Sequence, residues 1–120
     1  MAQAQIWRAQ VTVADASQLA GWQQAIAQMP EAVRAGPYFL LGQAWARQGQ
    51  SDKAALALLR VPLVYPENRA LAARSLLEAG RCLADAGRRD EAAGLYREAL
   101  EKYPETSAAA DARTRLDHLK

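Results

Sequence analysis

Few side chains in this sequence are of types that do covalent or metal chemistry. His118 is the only histidine, and as a general base or metal ligand it would need a thiol or carboxylates at ligand spacing. No cysteine or acidic cluster stands at such a spacing, so His118 reads as a solvated surface residue. Cys82 is the only cysteine and cannot pair within the chain; it reads as a small apolar group on a buried helix face, and one cysteine says little about compartment. The run Arg88-Arg89-Asp90-Glu91 mixes both signs at the start of a helical stretch, where charges are ordinarily solvated. There is no glycine-rich phosphate loop, paired metal motif or nucleophile elbow. Catalysis and a cofactor are therefore not expected, and function must come from surfaces that the elements present.

Those elements are helices. The chain has 120 residues, enough for one domain that buries roughly two thirds of the surface of its unfolded form. Its formal net charge of +2 is too weak a field to argue for nucleic acid or an anionic membrane. No apolar run approaches the roughly 18 residues of a membrane span. The opening "MAQAQIWRAQVTV" has one Arg, no sustained apolar core and no cleavage site, so no secretory signal is read there. Ala, Leu, Gln, Glu and Arg dominate, while Gly and Pro fall mostly at boundaries. Tyr38, Leu41, Gly42 and Trp45 share one helix face; Ala73, Leu76, Gly80 and Leu83 share another. Ala54, Leu58 and Val61, then Ala92, Tyr96, Ala99 and Tyr103, keep the same spacing in the stretches that follow.

A repeat organises these stripes. "GQSDKAALALLRVPLVYPEN" at 49–68 aligns with "GRRDEAAGLYREALEKYPET" at 87–106, 38 residues on, with identity at glycine, aspartate, two alanines, tyrosine, proline and glutamate. Each identity has a physical use. Gly49 and Gly87 can take the positive φ that ends a helix, and Asp52 and Asp90 sit where the next helix dipole favours negative charge. Tyr-Pro ends the second helix because proline pushes the residue before it out of the α region. Gly42 and Gly80, with Ala54 and Ala92 opposite, predict close helix approach within each pair.

The set of positions resembles the tetratricopeptide repeat family: Tyr38, Leu41, Gly42, Trp45, Gly49, Ala54, Leu58, Val61 and Pro66 in one unit, and Leu76, Ala79, Gly80, Leu83, Gly87, Ala92, Tyr96, Ala99 and Pro104 in the next. The resemblance covers roughly residues 37–104. It implies an all-α, right-handed superhelical stack of antiparallel helix pairs, about six helices in all. The family's usual unit is 34 residues, and the four extra residues here are expected to lengthen the link after "YPEN". A longer unit with a "YPxxxxA" link is similar to the subgroup in bacterial cell-envelope proteins, which implies a periplasmic setting; otherwise a cytoplasmic one is expected.

One domain over 1–120 follows, with an imperfect unit at 1–36, repeats at 37–70 and 71–106, and a capping helix at 107–120. In the first unit, residues 15–30 read as a second helix carrying Trp22 and Ala25 and ended by Pro30, and Ala4 to Ala14, with Trp7, as a first helix or a strand. In the cap, Ala109, Ala112, Leu116 and Leu119 form one face. Pro62 lies inside a second helix, where it removes a hydrogen bond at a cost of about 3 kcal/mol, so a kink or an early end near Arg60 is expected.

The resemblance also implies where a ligand binds. First helices line the concave side of such arrays, which by offset presents Phe39, Gln43 and Arg47 from one repeat and Arg74, Leu77, Arg81 and Asp85 from the next. Phe39 and Leu77 can equally pack against adjoining helices. The family's clamp for chaperone tails uses Lys and Asn at two of these places, and Phe39 with Gln43, then Leu77 with Arg81, disfavour that partner class. The expected function is a non-catalytic protein-interaction module that holds a protein or peptide segment with some negative charge. The alternatives are a nucleic-acid-binding array, which would need a groove more basic than Arg47, Arg74 and Arg81 supply, and a structural or oligomerising segment of a larger envelope protein. Apolar surface at the N-terminal end, including Trp7 and Trp22, makes self-association there the expectation.

Overall fold

The computed structural model of the chain describes residues 16–29 and 34–119, and all regular structure among them is α-helix. In chain order the helices are α1 (Ala16–Ala27), α2 (Ala35–Arg47), α3 (Ser51–Val64), α4 (Arg69–Asp85), α5 (Arg89–Lys102) and α6 (Ser107–Leu119). The expected element at 4–14 with Trp7, and the terminator Pro30, lie outside the described residues. Each helix packs on the one before it, and α4 also packs on both α2 and α6. The helices α2, α4 and α6 thus form one layer of an α-solenoid stack, while no close backbone approach links α1 with α3 or α3 with α5.

The turns within the pairs α2–α3 and α4–α5 follow from glycine. Gly49 has φ +74° and Gly87 φ +84°, a region open to residues without Cβ at no steric cost. Around Gly49, the Gln50 N–H donates to the Trp45 carbonyl at 3.0 Å and the Gly49 N–H to Ala46 at 3.0 Å. Around Gly87, the Arg88 N–H donates to Leu83 at 2.8 Å and the Gly87 N–H to Ala84 at 3.0 Å. Both are Schellman closures, which satisfy carbonyls that a helix end otherwise leaves open.

Close approach within each pair is found, and the atoms nearest each glycine belong to a large side chain rather than to the alanine expected opposite. A Cβ on Gly42 would lie 2.4 Å from Leu58 Cγ, and one on Gly80 would lie 2.5 Å from Tyr96 Cε1. The small residues therefore accommodate large side chains one turn beyond Ala54 and Ala92. Ala54 meets Gly42 through its backbone carbonyl, at 3.2 Å from that Cβ position. Leu58 and Tyr96 are fully buried in consequence.

Two local expectations are corrected. The link after α3 is only residues 65–68, so the longer unit does not lengthen it. The extra residues instead extend α4 to 17 residues against 13 in α2, about one added turn. A helical turn satisfies its own backbone groups, which a longer loop could not do while packed on the stack. Nor does Pro62 end α3 near Arg60: the helix runs on to Val64, and at 14 residues matches the proline-free α5. Pro62 lies in the last turn and is buried, where a lost bond is offset by packing.

The last helix packs on α5 and α4 through buried Ala108, Ala109 and Ala112, with Leu116 and Leu119 partly covered, as its stripe predicts. Thr106 caps it, accepting from the Ala109 N–H at 3.2 Å and donating to the Tyr103 carbonyl at 2.7 Å. Asn68, at the same place before α4, makes no such side-chain bond.

Candidate functional site

The layer of α2, α4 and α6 carries two neighbouring grooves. The larger, about 730 Å³, runs between α4 and α6, with Arg69, Arg74, Leu77, Glu78 and Arg81 on one wall and Asp111 and Arg115 on the other; Glu105 and Thr106 close one end. The smaller, about 410 Å³, lies between α2 and α4 and is lined by Phe39, Gln43, Leu71 and Arg74 among others. Arg74 stands on the ridge between them. Its guanidinium lies 5.0 Å from the centre of the Phe39 ring, a cation–π stack that restricts where its charge points.

Of the residues expected to meet a ligand, Arg74, Leu77 and Arg81 come together in the larger groove, and Phe39 and Gln43 join Arg74 in the smaller. Arg47 and Asp85 are the exposed last residues of α2 and α4 and line neither groove. Phe39 and Leu77 are 5% and 6% exposed, so they are core residues that show only an edge, and Phe39 is no free apolar anchor. The physical reason is the direct packing of α2 on α4 and of α4 on α6, which closes over any large apolar side chain between them.

Ion pairing divides the arginines. Arg69 is tied to Glu105 through Nε, donates to the Lys102 carbonyl at 2.7 Å and stacks on Tyr103 at 5.0 Å, joining the start of α4 to the α5–α6 link. The Arg69 hydrogen bond holds the Glu105 carboxyl below its ordinary pKa, and Glu105 raises that of Arg69 in turn. Arg81 pairs with Glu78 at 3.3 Å on its own helix. Among the described residues, Arg74 and Arg115 carry no ion pair. Two of the groove's three carboxylates, Glu78 and Glu105, are thus engaged.

Asp111 and Arg115 are groove residues that reading the sequence missed because 107–120 was expected to be only a cap, and Arg69 was missed because the residues after "YPEN" were expected to be link. The signal was present: "YPET" before α6 repeats "YPEN" before α4, and a step of 38 puts Arg115 at the place of Leu77. The remaining chemistry is quiet. Burial pushes the Cys82 thiol up, which disfavours the reactive thiolate, and His118 is exposed. Among the described residues no group of three His, Cys, Asp or Glu is placed so that it could hold a metal ion, and no helix is long and apolar enough to cross a membrane.

On the other side of α2, a third groove of about 530 Å³ is bordered by α1 and α3. Its lining is mostly apolar, including Trp45, Leu56, Leu59 and Leu63, with Lys53 and Arg60 as its charged residues. The large exposed apolar residues among those described are Leu56, Leu63 and Val64, all on α3, whereas Trp22 is partly buried against the core.

A family model described as tetratricopeptide repeat matches residues 38–68 and 74–106, the helix pairs α2–α3 and α4–α5. No curated protein and no solved structure matches the chain.

Proposed function

The chain belongs to the tetratricopeptide repeat family, whose repeats generally mediate protein–protein interactions, and on that premise we propose that it is a non-catalytic module that holds a carboxylate-bearing peptide segment in the groove between α4 and α6. The observation that carries this reading is the pair of guanidinium groups without an ion pair, Arg74 and Arg115, on opposite walls of one groove. Arginine presents a planar fork that takes a carboxylate or a backbone carbonyl, and such anchors supply much of the energy of typical interfaces. Arg74 is already oriented by Phe39, so little side-chain freedom is lost on binding. The carboxylates of Glu78, Glu105 and Asp111 in the same groove argue against a polyanion such as RNA, for which a uniformly basic track is the better fit.

Binding by exposed charges weakens as salt screens them. The test is a pull-down with the intact chain, followed by the variant in which Arg74 and Arg81 are both changed to Glu, with circular dichroism to verify folding. A folded double variant should lose the partner, and wild-type affinity should fall with salt. Retention by the folded variant would move the partner to another face. The envelope setting is part of the same proposal and rests on the 38-residue unit; fractionation of cells expressing the full-length protein would test it.

A further inference from the structure

We propose that the outward face of α3 is a second docking surface, and that its occupant is an amphipathic helix of a partner protein with an apolar stripe flanked by carboxylates. Leu56 and Leu63 are 69% and 79% exposed. Seven residues apart, they lie on one face of α3, with Leu59 completing the stripe along the groove that α1 and α2 border. Exposed apolar surface of this kind, rimmed by charge, marks an interaction site rather than ordinary surface.

The other helix pair shows that the fold does not require the stripe. At the same places, 38 residues on, α5 carries Gly94, Arg97 and Glu101, and its backbone has the same length and the same preceding turn. The stripe is therefore particular to α3.

Charge chooses the occupant. Lys53 and Arg60 flank the stripe, and each is held in place over a buried ring, Lys53 at 4.6 Å from the centre of Trp45 and Arg60 at 5.0 Å from that of Tyr38. Among the described residues, no carboxylate lines the groove. A second copy docking the same face symmetrically would set these cations against their own kind, whereas an acid-flanked helix pairs with them. The stripe and its flanks span Lys53 to Leu63, roughly 15 Å or three turns, which suits a short helix bearing apolar residues at i, i+3 or i+4, and i+7.

The experiment uses a displayed library of 16-residue peptides, selected on the intact chain and counter-selected on the Leu56→Ser/Leu63→Ser variant, whose changes lie on the surface and leave the core intact. Enriched peptides should share an apolar stripe with Asp or Glu beside it. A labelled member should bind at least tenfold more weakly to the double-serine variant and to Lys53→Glu/Arg60→Glu, yet bind Arg74→Glu/Arg81→Glu as it binds wild type. That last measurement separates this surface from the α4–α6 groove. The proposal is overturned if no peptide is enriched, if enriched peptides lack acidic residues, or if they bind the double-serine variant equally well. It is also overturned if sedimentation shows a self-association that the serine changes abolish, since the face would then belong to a second copy.

Discussion

The pairs α2–α3 and α4–α5 close through the same glycine turn, bury small residues at the same places and end on the same Tyr-Pro, but they fill the gap between their helices differently and face outward with different chemistry. In the first pair Leu58 sits over Gly42; in the second the larger Tyr96 sits over Gly80. Outward, α3 shows leucine with Lys53 and Arg60, whereas α5 shows polar residues with Glu91 and Glu98 at those two places. The contacts that make a helix pair constrain residue size at a few inner positions. Outer positions meet no such constraint, so their chemistry is free to follow a partner.

The comparison breaks most readily at its inner positions. Tyr96→Ala should cost about 3–5 kcal/mol and Leu58→Ala about 2–5 kcal/mol, with the tyrosine variant the worse of the two because it leaves the larger cavity. Denaturant unfolding of both variants checks the order, and a smaller loss for Tyr96→Ala would show that the ring does not lock the second pair.

A smaller effect, with opposite signs at two sites, is expected from glycine. Gly42→Ala drives a methyl into Leu58 Cγ and should destabilise by about 1–3 kcal/mol, partly offset by helix propensity. Gly94, inside α5 with nothing within 4 Å of its Cβ position, should gain about 0.5–1 kcal/mol on the same change. Thermal midpoints moving in the same direction would contradict the close approach within the first pair.

The two Tyr-Pro links offer a finer contrast. Thr106→Ala removes a capping bond and should cost about 1 kcal/mol, while Asn68→Ala, which removes none, should stay within about 0.5 kcal/mol of wild type. Equal losses would mean that the cap adds nothing to α6.

The smallest effect concerns Arg69 and Glu105, which are about half exposed and worth little as a pair. The Glu105 pKa is lower in the folded chain than in the unfolded one, so its contribution is present above the unfolded value of about 4.3 and disappears as pH falls through the folded value. The difference in thermal midpoint between wild type and Glu105→Gln should therefore shrink on acidification below about pH 4.3. A difference that stays constant there would remove the pair from the account.

Sequence alone determined the helices, the pairing and the period, because those rest on local chemistry: a glycine that can take positive φ, a proline that stops a helix, and small or apolar residues every three or four positions. The buried stripe of Tyr38, Leu41 and Trp45 and the cap's Ala109 and Ala112 were legible for that reason. Tertiary structure alone decided the surfaces. Whether Phe39 meets a ligand or packs beneath Arg74 depends on how close α2 comes to α4, and both outcomes put the same residue on the same helix face. Whether four added residues become loop or helix depends on which option satisfies the backbone at that point in the stack. The ion pair of Arg69 with Glu105 joins charges 36 residues apart, whose separation is fixed only once α4, α5 and α6 are docked, whereas that of Arg81 with Glu78 lies within α4. Leucines at 56 and 63 read in sequence as part of a helix like any other, and they became an outward stripe only when no helix among the described residues came to cover that face of α3.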